Sequence, residues 1–161
     1  MAQADMFLKL TNIKGESTDS KHKDEIEVLS WSLGASQTGA GHYGTGSGAG
    51  KVEFQDLHVT KHVDHATPSL LQHLTTGKHI DEGLLTCRKA GGTALEYLKF
   101  KMEQCLVSSQ TFGGGQGSDQ VTESITLNFR KFTQTYTPQD PKGTAKPSTD
   151  FTWDIAAAKE K

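Results

Sequence analysis

Short runs of apolar residues that alternate with polar ones recur along the chain, separated by turn-forming residues. The runs are rich in Val, Ile, Phe, Thr and Leu, and alternation with a period of two is typical of strands that bury one face. Strands are therefore predicted at residues 6–10, 26–33, 52–60, 83–88, 95–107, 122–136 and 151–155. The two longest runs exceed the usual strand length of about 5–6 residues, so bends or bulges are expected in them. The pattern favours an all-β barrel or sandwich.

The predicted strand at 26–33 does not place its apolar residues on one face. Ile26 and Val28 share one parity, whereas Leu29, Trp31 and Leu33 share the other. Either a bulge shifts the register within this strand or both of its faces are buried, and the pattern is compatible with both arrangements.

One segment departs from the strand pattern and predicts a short helix near 68–76. Thr67 stands where a capping hydroxyl is expected, Pro68 at the first helical position and Gly77 after the last turn. An apolar stripe along one side of this helix would be formed by Leu70, Leu71 and Leu74. Because so short a helix is not stable alone, the stripe is expected to pack against the sheets.

Seven glycines are concentrated in an extended loop at 34–51. Residues 39–44 formally match GxGxxG, but more glycine follows where that phosphate-binding pattern needs a helix. Residues 46–51 resemble the end of a P-loop, yet Thr45 stands where the first glycine belongs and Val52 replaces the magnesium-binding hydroxyl. Two interpretations stay open: a flexible decoration, or an arm that crosses to a neighbouring chain, where glycine allows close backbone approach.

Length and charge narrow the class of protein. The 161 residues are expected to form one domain over 1–161, with no internal repeat. The formal net charge of −2 is made of mixed signs, so the chain has no basic excess with which to bind nucleic acid. No apolar run approaches the roughly 18 residues of a membrane helix, so no membrane insertion is expected. No cleavable signal peptide is expected either, because Asp5 and Lys9 interrupt the apolar residues near the amino terminus.

The residue types of catalytic and metal sites are present without the spacing that such sites need. Cys87 and Cys105 lie in apolar runs far apart in sequence and are expected to be reduced core thiols. His58, His62 and His65 could suggest zinc, but no HExxH or paired-cysteine motif accompanies them. No GxSxG motif is present, and the glutamates follow strand alternation. The chain is therefore expected not to be an enzyme and to have no catalytic residue, metal or cofactor.

A series of short motifs in fixed order resembles one known family from residue 2 to about 155. The matching residues are Met6-Phe-Leu-Lys-Leu10, Lys14-Gly-Glu-Ser17, Glu25-Ile-Glu-Val-Leu-Ser-Trp-Ser32, Gly48-Ala-Gly-Lys-Val52, Asp56-Leu57, Thr60-Lys61, Thr67-Pro68, Cys87-Arg-Lys-Ala-Gly-Gly92 and Leu127-Asn-Phe129. Together they resemble the haemolysin-coregulated protein (Hcp) family of the bacterial type VI secretion system.

The resemblance implies a closed, β-barrel-like fold of two sheets with one short helix, assembling as a hexameric ring. Rings of the family stack into a hollow tube that is secreted with effectors, which makes the chain a structural tube subunit. Expected partners are the chain itself as a homohexamer, the contractile sheath, the tail-tip spike protein and small effector proteins. The protein would be made in the bacterial cytoplasm and exported through the type VI machine. An alternative is an effector-binding chaperone or adaptor ring that is not built into a tube.

Two sets of residues are expected to make contacts, and the resemblance favours the first of them. Head-to-tail assembly needs two different patches that meet, and the arm interpretation of the loop at 34–51 supplies one of them. Its expected contacts between subunits or rings are Ser36, Gln37, Gly41, His42, Tyr43, Gly48, Gly50 and Lys51. A second glycine cluster at 113–119 is expected to be an exposed hairpin tip, and its possible contacts with the lumen or cargo are Gly115, Gln116 and Ser118.

Overall fold

The computed structural model describes residues 4–37, 51–90 and 94–160, and over these ranges the chain is mainly β, as the sequence predicts. The strands are β1 (Asp5–Leu10), β2 (Ile26–Glu27), β3 (Ser30–Ser32), β4 (Ala35–Gln37), β5 (Val52–Phe54), β6 (Leu57–His62), β7 (Ile80–Arg88), β8 (Glu96–Gly113), β9 (Thr122–Tyr136), β10 (Thr149–Asp154) and β11 (Lys159–Glu160), and the helix is α1 (Thr67–Thr76).

One hydrogen-bonded sheet carries nine of the described strands, and the long strands β8 and β9 form its spine. The order is β11-β10-β9-β8-β7-β1-β2, with β6 also beside β9 and β3 beside β6. The register of β8 shifts between Val107 and Ser109, and Gln104 has a φ of 53°. Met102 and Cys105 are both buried, so the inward parity changes around Gln104. These irregularities are the bends expected from the sequence, and they fold the sheet into two layers around one core.

The sheet does not close on itself within the described residues, which corrects the expectation of a closed barrel. The predicted strand at 26–33 is in fact two strands, because β2 pairs with β1 whereas β3 pairs with β6. Between them, the Val28 amide donates to the Met6 carbonyl and the Leu29 amide donates to the Thr60 carbonyl. The chain therefore crosses from one layer to the other at this point. This crossing also explains the two parities in the sequence.

The predicted helix is present, but its start differs from the expectation. Thr67 is already helical and is not the capping residue, which is Ala66 without a side-chain cap. The Thr67 hydroxyl instead accepts a hydrogen bond from the Asp64 amide at 3.0 Å and donates one to Glu123 at 3.0 Å. The helix ends at Gly77, whose φ of 67° is the left-handed conformation that favours glycine.

The buried side of the helix also differs from the predicted leucine stripe. Leu70 is fully buried and Leu74 packs against the core, but Leu71 is exposed. His73 takes its place as a buried residue, with Nδ1 2.7 Å from the Ser69 carbonyl oxygen. A satisfied imidazole can thus fill a helical core position that apolar patterning assigns to leucine.

Two short elements were not predicted from the sequence: the two-stranded sheet of β4 and β5, and strand β11. The run at 52–60 is broken into β5 and β6, and β5 pairs with β4 to form a separate two-stranded sheet. Strand β11 pairs with β10 through Asp154 and Lys159. Both elements are only two or three residues long, and too few residues alternate in them for periodicity to be visible.

Candidate assembly interface

The described part of the predicted loop at 34–51 begins and ends in the two-stranded arm β4–β5. Ser36 pairs with Glu53 and Gln37 pairs with Val52, so Ser36 and Gln37 lie in a strand. Both are exposed, and exposed Lys51 immediately precedes β5, which brings these three predicted contacts together. The other expected contacts of the loop lie outside the described residues: Gly41, His42, Tyr43, Gly48 and Gly50.

An aromatic groove lies beneath the arm. Phe54 of the arm packs on Phe132 of the main sheet with ring centroids 5.0 Å apart, and Phe132 is 6.1 Å from Phe151. The groove has a volume of about 260 Å³ and is also lined by Leu33 and Phe100. Phe151 remains 43% exposed, so the groove anchors the arm and still presents apolar surface to solvent.

The three residues proposed for the lumen lie at the exposed tip of the β8–β9 hairpin. Gly115, Gln116 and Ser118 are all exposed, and the Ser118 hydroxyl donates to the Gln120 carbonyl at 2.9 Å. A side chain at Gly115 would meet nothing within 4 Å. The tip adjoins the Thr122 end of β9, whereas the arm contacts the other half of that strand. Among the described residues, Ser36, Gln37 and Lys51 therefore lie in a different part of the fold from the hairpin tip.

A cluster of buried charge holds the helix against both layers. Lys61 of β6 and Glu123 of β9 are both fully buried and form an ion pair, and Lys61 Nζ also lies 2.8 Å from Asp64. The Glu123 carboxylate accepts hydrogen bonds from Thr67 at 3.0 Å and Gln110 at 3.1 Å. Burying a charge is costly unless it is paired and hydrogen-bonded. This network meets that condition, so we assign it a structural role.

A second charged cluster fastens the segment 16–25, here called the strap, to the sheet. The Arg88 guanidinium donates to both carboxylate oxygens of Asp19, at 3.0 and 2.7 Å, and to Asp5 at 3.0 Å. These hydrogen bonds hold the pKa of Asp19 well below its usual range. They likewise raise the pKa of Arg88, to which Asp19 contributes more than Asp5. The strap is thus tied down by charges that stay ionised at neutral pH.

His22 supplies the other attachment of the strap. Its ring stacks on Phe7 with centroids 4.4 Å apart, and its two nitrogens lie 2.7 Å from Glu25 and 2.7 Å from Glu96. Burial raises the pKa of Glu96, but hydrogen bonds from Lys99 and His22 outweigh it and leave that pKa below its usual value. The histidine therefore joins the strap to the start of β8.

Three apolar residues missed by the sequence analysis form an exposed patch at the point where the chain changes layers. Leu29, Val63 and Val121 are 47%, 43% and 47% exposed, and the Val63 amide donates to the Val121 carbonyl at 2.9 Å. The one signal in the sequence was the broken parity at Leu29. Exposed apolar patches with a polar rim mark interaction sites.

The thiols and histidines add no reactive centre within the described residues. Cys87 and Cys105 are free and buried, as predicted, and burial raises the pKa of Cys105 to about 12. Over residues 4–37, 51–90 and 94–160, no three His, Cys, Asp or Glu side chains converge to hold a metal ion.

The described part of the chain also contains no helix with the length and apolar character needed to cross a bilayer.

Comparison with known proteins identifies the family. The family model described as "Type VI secretion system effector, Hcp" matches residues 7–136. Protein hcp1 of Pseudomonas aeruginosa is 49% identical over 140 residues, which cover 86% of each chain. A solved structure of a type six secretion system protein has a TM-score of 0.93 at 32% identity, covering 99% of this chain and 100% of the other. Hcp1 from Salmonella typhimurium has a TM-score of 0.82 at 35% identity, covering 100% of both.

The two solved structures share this fold over nearly the whole chain. The curated relative and the family model both cover most of the chain, and the solved structures cover nearly all of it. The chain belongs to the Hcp family of the type VI secretion system.

Proposed function

We propose that this protein is the tube subunit of a type VI secretion machine, assembling as hexameric rings that stack into a hollow, exported tube. The observation that carries the proposal is the full-length agreement in fold with type VI secretion proteins of known structure. The contractile sheath, the tail-tip spike and small effector proteins are its proposed partners.

The surface of the described chain supports assembly. The sheet path ends at β2 and β11, whose outer edges have no strand partner in the described residues. Such edges readily pair with another chain unless they are covered. Several large apolar residues are also exposed, including Leu29, Phe112 and Phe151. A ring of identical subunits would cover surfaces of this kind through two different patches that meet head to tail.

The test is the mass of the purified particle by light scattering, followed by negative-stain imaging of the same fraction. We expect six times the 17.4 kDa chain mass and sixfold rings, with stacked rings at higher concentration. A monomer at every concentration would overturn the proposal. Rings that never stack but still carry effectors would favour the adaptor ring instead.

We also propose that the segment 34–51 supplies contacts between rings. The described ends of this segment are exposed at Ser36, Gln37 and Lys51, which leaves them available to another subunit. Gly48→Val should reduce stacking and leave single rings intact, because a β-branched side chain resists close backbone approach. Gly115→Val, in the second glycine cluster, is the control. Negative-stain counts of stacked and single rings give the result, and equal stacking by the two variants would contradict the proposal.

A further inference from the structure

A small cleft lies at the crossing between the two layers and combines an apolar floor with an acidic rim. Leu29 and Val63 line it, together with Glu16, Glu27 and Asp64. Its volume is about 200 Å³, below the roughly 300–1,000 Å³ of typical small-molecule sites. The cleft is therefore better suited to a protruding side chain or turn of a protein than to a small ligand. We call this site the acidic cleft.

The charges of the acidic cleft are not neutralised equally. Asp64 has an ion-pair partner in Lys61, 2.8 Å away, which it shares with Glu123. Glu16 and Glu27 are exposed, and neither forms an ion pair with another described residue. The cleft also contains His62, whose Nδ1 is buried without a hydrogen-bond partner among the described residues. Two acidic groups next to exposed apolar surface favour a partner with basic side chains on a compact segment.

The chain itself presents such a segment between β9 and β10, at residues 138–147, which we call the basic turn. Lys142 and Lys146 are exposed in it, and neither forms an ion pair within the described residues.

Several hydrogen bonds hold the backbone of the basic turn in shape. The Asp140 carboxylate accepts from the Lys142 amide at 2.9 Å and from the Thr144 amide at 2.8 Å. The Gly143 amide donates to the Asp140 carbonyl at 2.9 Å, and the Lys146 amide donates to the Pro138 carbonyl at 2.8 Å. Gly143 has a φ of 87°, which glycine adopts without strain. Its two lysines are thus held on a preformed projection.

We propose that the basic turn of one copy docks on the acidic cleft of the next copy, with Lys142 and Lys146 facing Glu16 and Glu27. The proposal rests on the proposed function, and it specifies which two surfaces meet in the assembly.

Three properties of the two surfaces support this pairing. The basic turn carries Lys142 and Lys146 against the single carboxylate of Asp140, so its net charge is positive. Glu16, Glu27 and Asp64 make the cleft net negative, so the two surfaces carry opposite charge. Both surfaces belong to ordered backbone, and preorganised partners lose less conformational entropy on binding. The surfaces are different patches of one chain, and a contact between different patches is the head-to-tail kind that generates rings and stacks. The exposed Leu29 and Val63 would be covered in the contact, which accounts for their position on the surface.

Charge reversal and charge exchange test the pairing. Glu16→Lys with Glu27→Lys should raise the concentration needed for half-assembly about tenfold or more, as should Lys142→Glu with Lys146→Glu, since like charges would then face each other. The protein that carries all four changes should assemble again. Lys9→Glu with Lys78→Glu, two exposed lysines elsewhere, is the matched control. Light scattering measures assembly, and circular dichroism confirms that each variant is folded.

A cross-link provides a second readout that does not depend on assembly strength. Glu27→Cys protein mixed with Lys142→Cys protein should form a disulfide dimer under mild oxidation. Glu27→Cys protein mixed with Lys78→Cys protein, the control, should not. The native Cys87 and Cys105 are buried, so they give little background.

The possible results separate this inference from the function on which it rests. Failure of the unaltered protein to assemble would overturn the proposed function and the docking together. Normal assembly of the charge-reversed variants, or the absence of the cross-link in assembled protein, would overturn the docking alone. Loss of assembly in both double variants without recovery in the fourfold variant would also overturn the docking, because each surface would then contact something other than the other one.

Discussion

Two of the charged clusters in the described part of this fold differ in their surroundings. In the helix cluster, Lys61 and Glu123 are both fully buried between β6, β9 and α1. In the strap cluster, Arg88 is nearly buried, but the side chain of Asp19 is 23% exposed and that of Asp5 is 45% exposed. One cluster is therefore closed to water, and the other is open on its acidic side.

The difference in exposure decides what each cluster contributes. A closed pair gains from strong attraction but loses the hydration of both charges, so its net contribution is small while removal of one partner is severe. An open pair keeps part of its hydration and is screened by salt, so it contributes less and tolerates loss of a partner. The helix cluster thus fixes how α1 packs on the sheets. The strap cluster holds down a surface segment.

The largest effect is expected from breaking the helix cluster on one side only. Lys61→Met leaves the buried Glu123 carboxylate without its cationic partner, which should cost about 3–5 kcal/mol of unfolding free energy. The remaining hydrogen bonds from Thr67 and Gln110 soften this cost without supplying a positive charge. Denaturant unfolding followed by circular dichroism measures the change.

Removal of both charges is the control for that experiment. Lys61→Met with Glu123→Leu should recover most of the lost stability, because the fully buried carboxylate is removed with its partner and only the less buried Asp64 loses an ion pair. The loss in the single variant would then be a property of the unpaired carboxylate rather than of the altered packing. Equal losses in the single and double variants would contradict the contrast between a closed and an open cluster.

An intermediate effect is expected where the strap passes the sheet at Gly15. A Cβ atom there would lie 2.5 Å from the Glu25 carbonyl oxygen and 2.7 Å from the Ile26 Cα atom, so the backbone would have to move. Gly15→Ala should therefore cost about 1–3 kcal/mol, as overpacking typically does. Hydrogen exchange should rise mainly in the strap. Gly115→Ala, whose Cβ would meet nothing, should leave both measurements unchanged.

Much of the fold follows from the local pattern of apolar and polar residues, whereas the helix cluster and the strap cluster do not. Alternation located β1, β7, β8 and β9 because each is long enough to show a period of two, and Gly77 marked the end of the helix. The strap and the acidic cleft are formed by residues distant in sequence, such as Arg88 with Asp19. No local periodicity encodes that proximity. The same holds for Lys61 and Glu123, which read as ordinary polar positions on alternating strands until the register of β6 and β9 places them opposite each other.

For the expected contact residues, the sequence indicates exposure but not the strand pairing that positions them. Ser36 and Gln37 were placed in a loop, and only pairing with β5 shows that they belong to a strand. The acidic cleft was missed because Leu29 looked like a core residue, while the turn between the layers leaves it exposed. An apolar residue that breaks a strand's parity, such as Leu29, can therefore mark exposed apolar surface.

The smallest effect is expected at the strap cluster, whose contribution to stability depends on pH. Hydrogen bonds from Arg88 hold the pKa of Asp19 well below its ordinary value of 3.8, so the folded protein keeps this carboxylate ionised where the unfolded chain takes up a proton. Its contribution to stability is therefore complete above about pH 4 and is lost as the pH falls further. Asp19→Asn should lower stability slightly at pH 7 and flatten its decline between pH 4 and pH 3. Asp5 remains hydrogen-bonded to Arg88 and limits the loss. Unfolding midpoints measured across this range would contradict the assignment if the two proteins declined in parallel, since Asp19 would then contribute nothing that protonation removes.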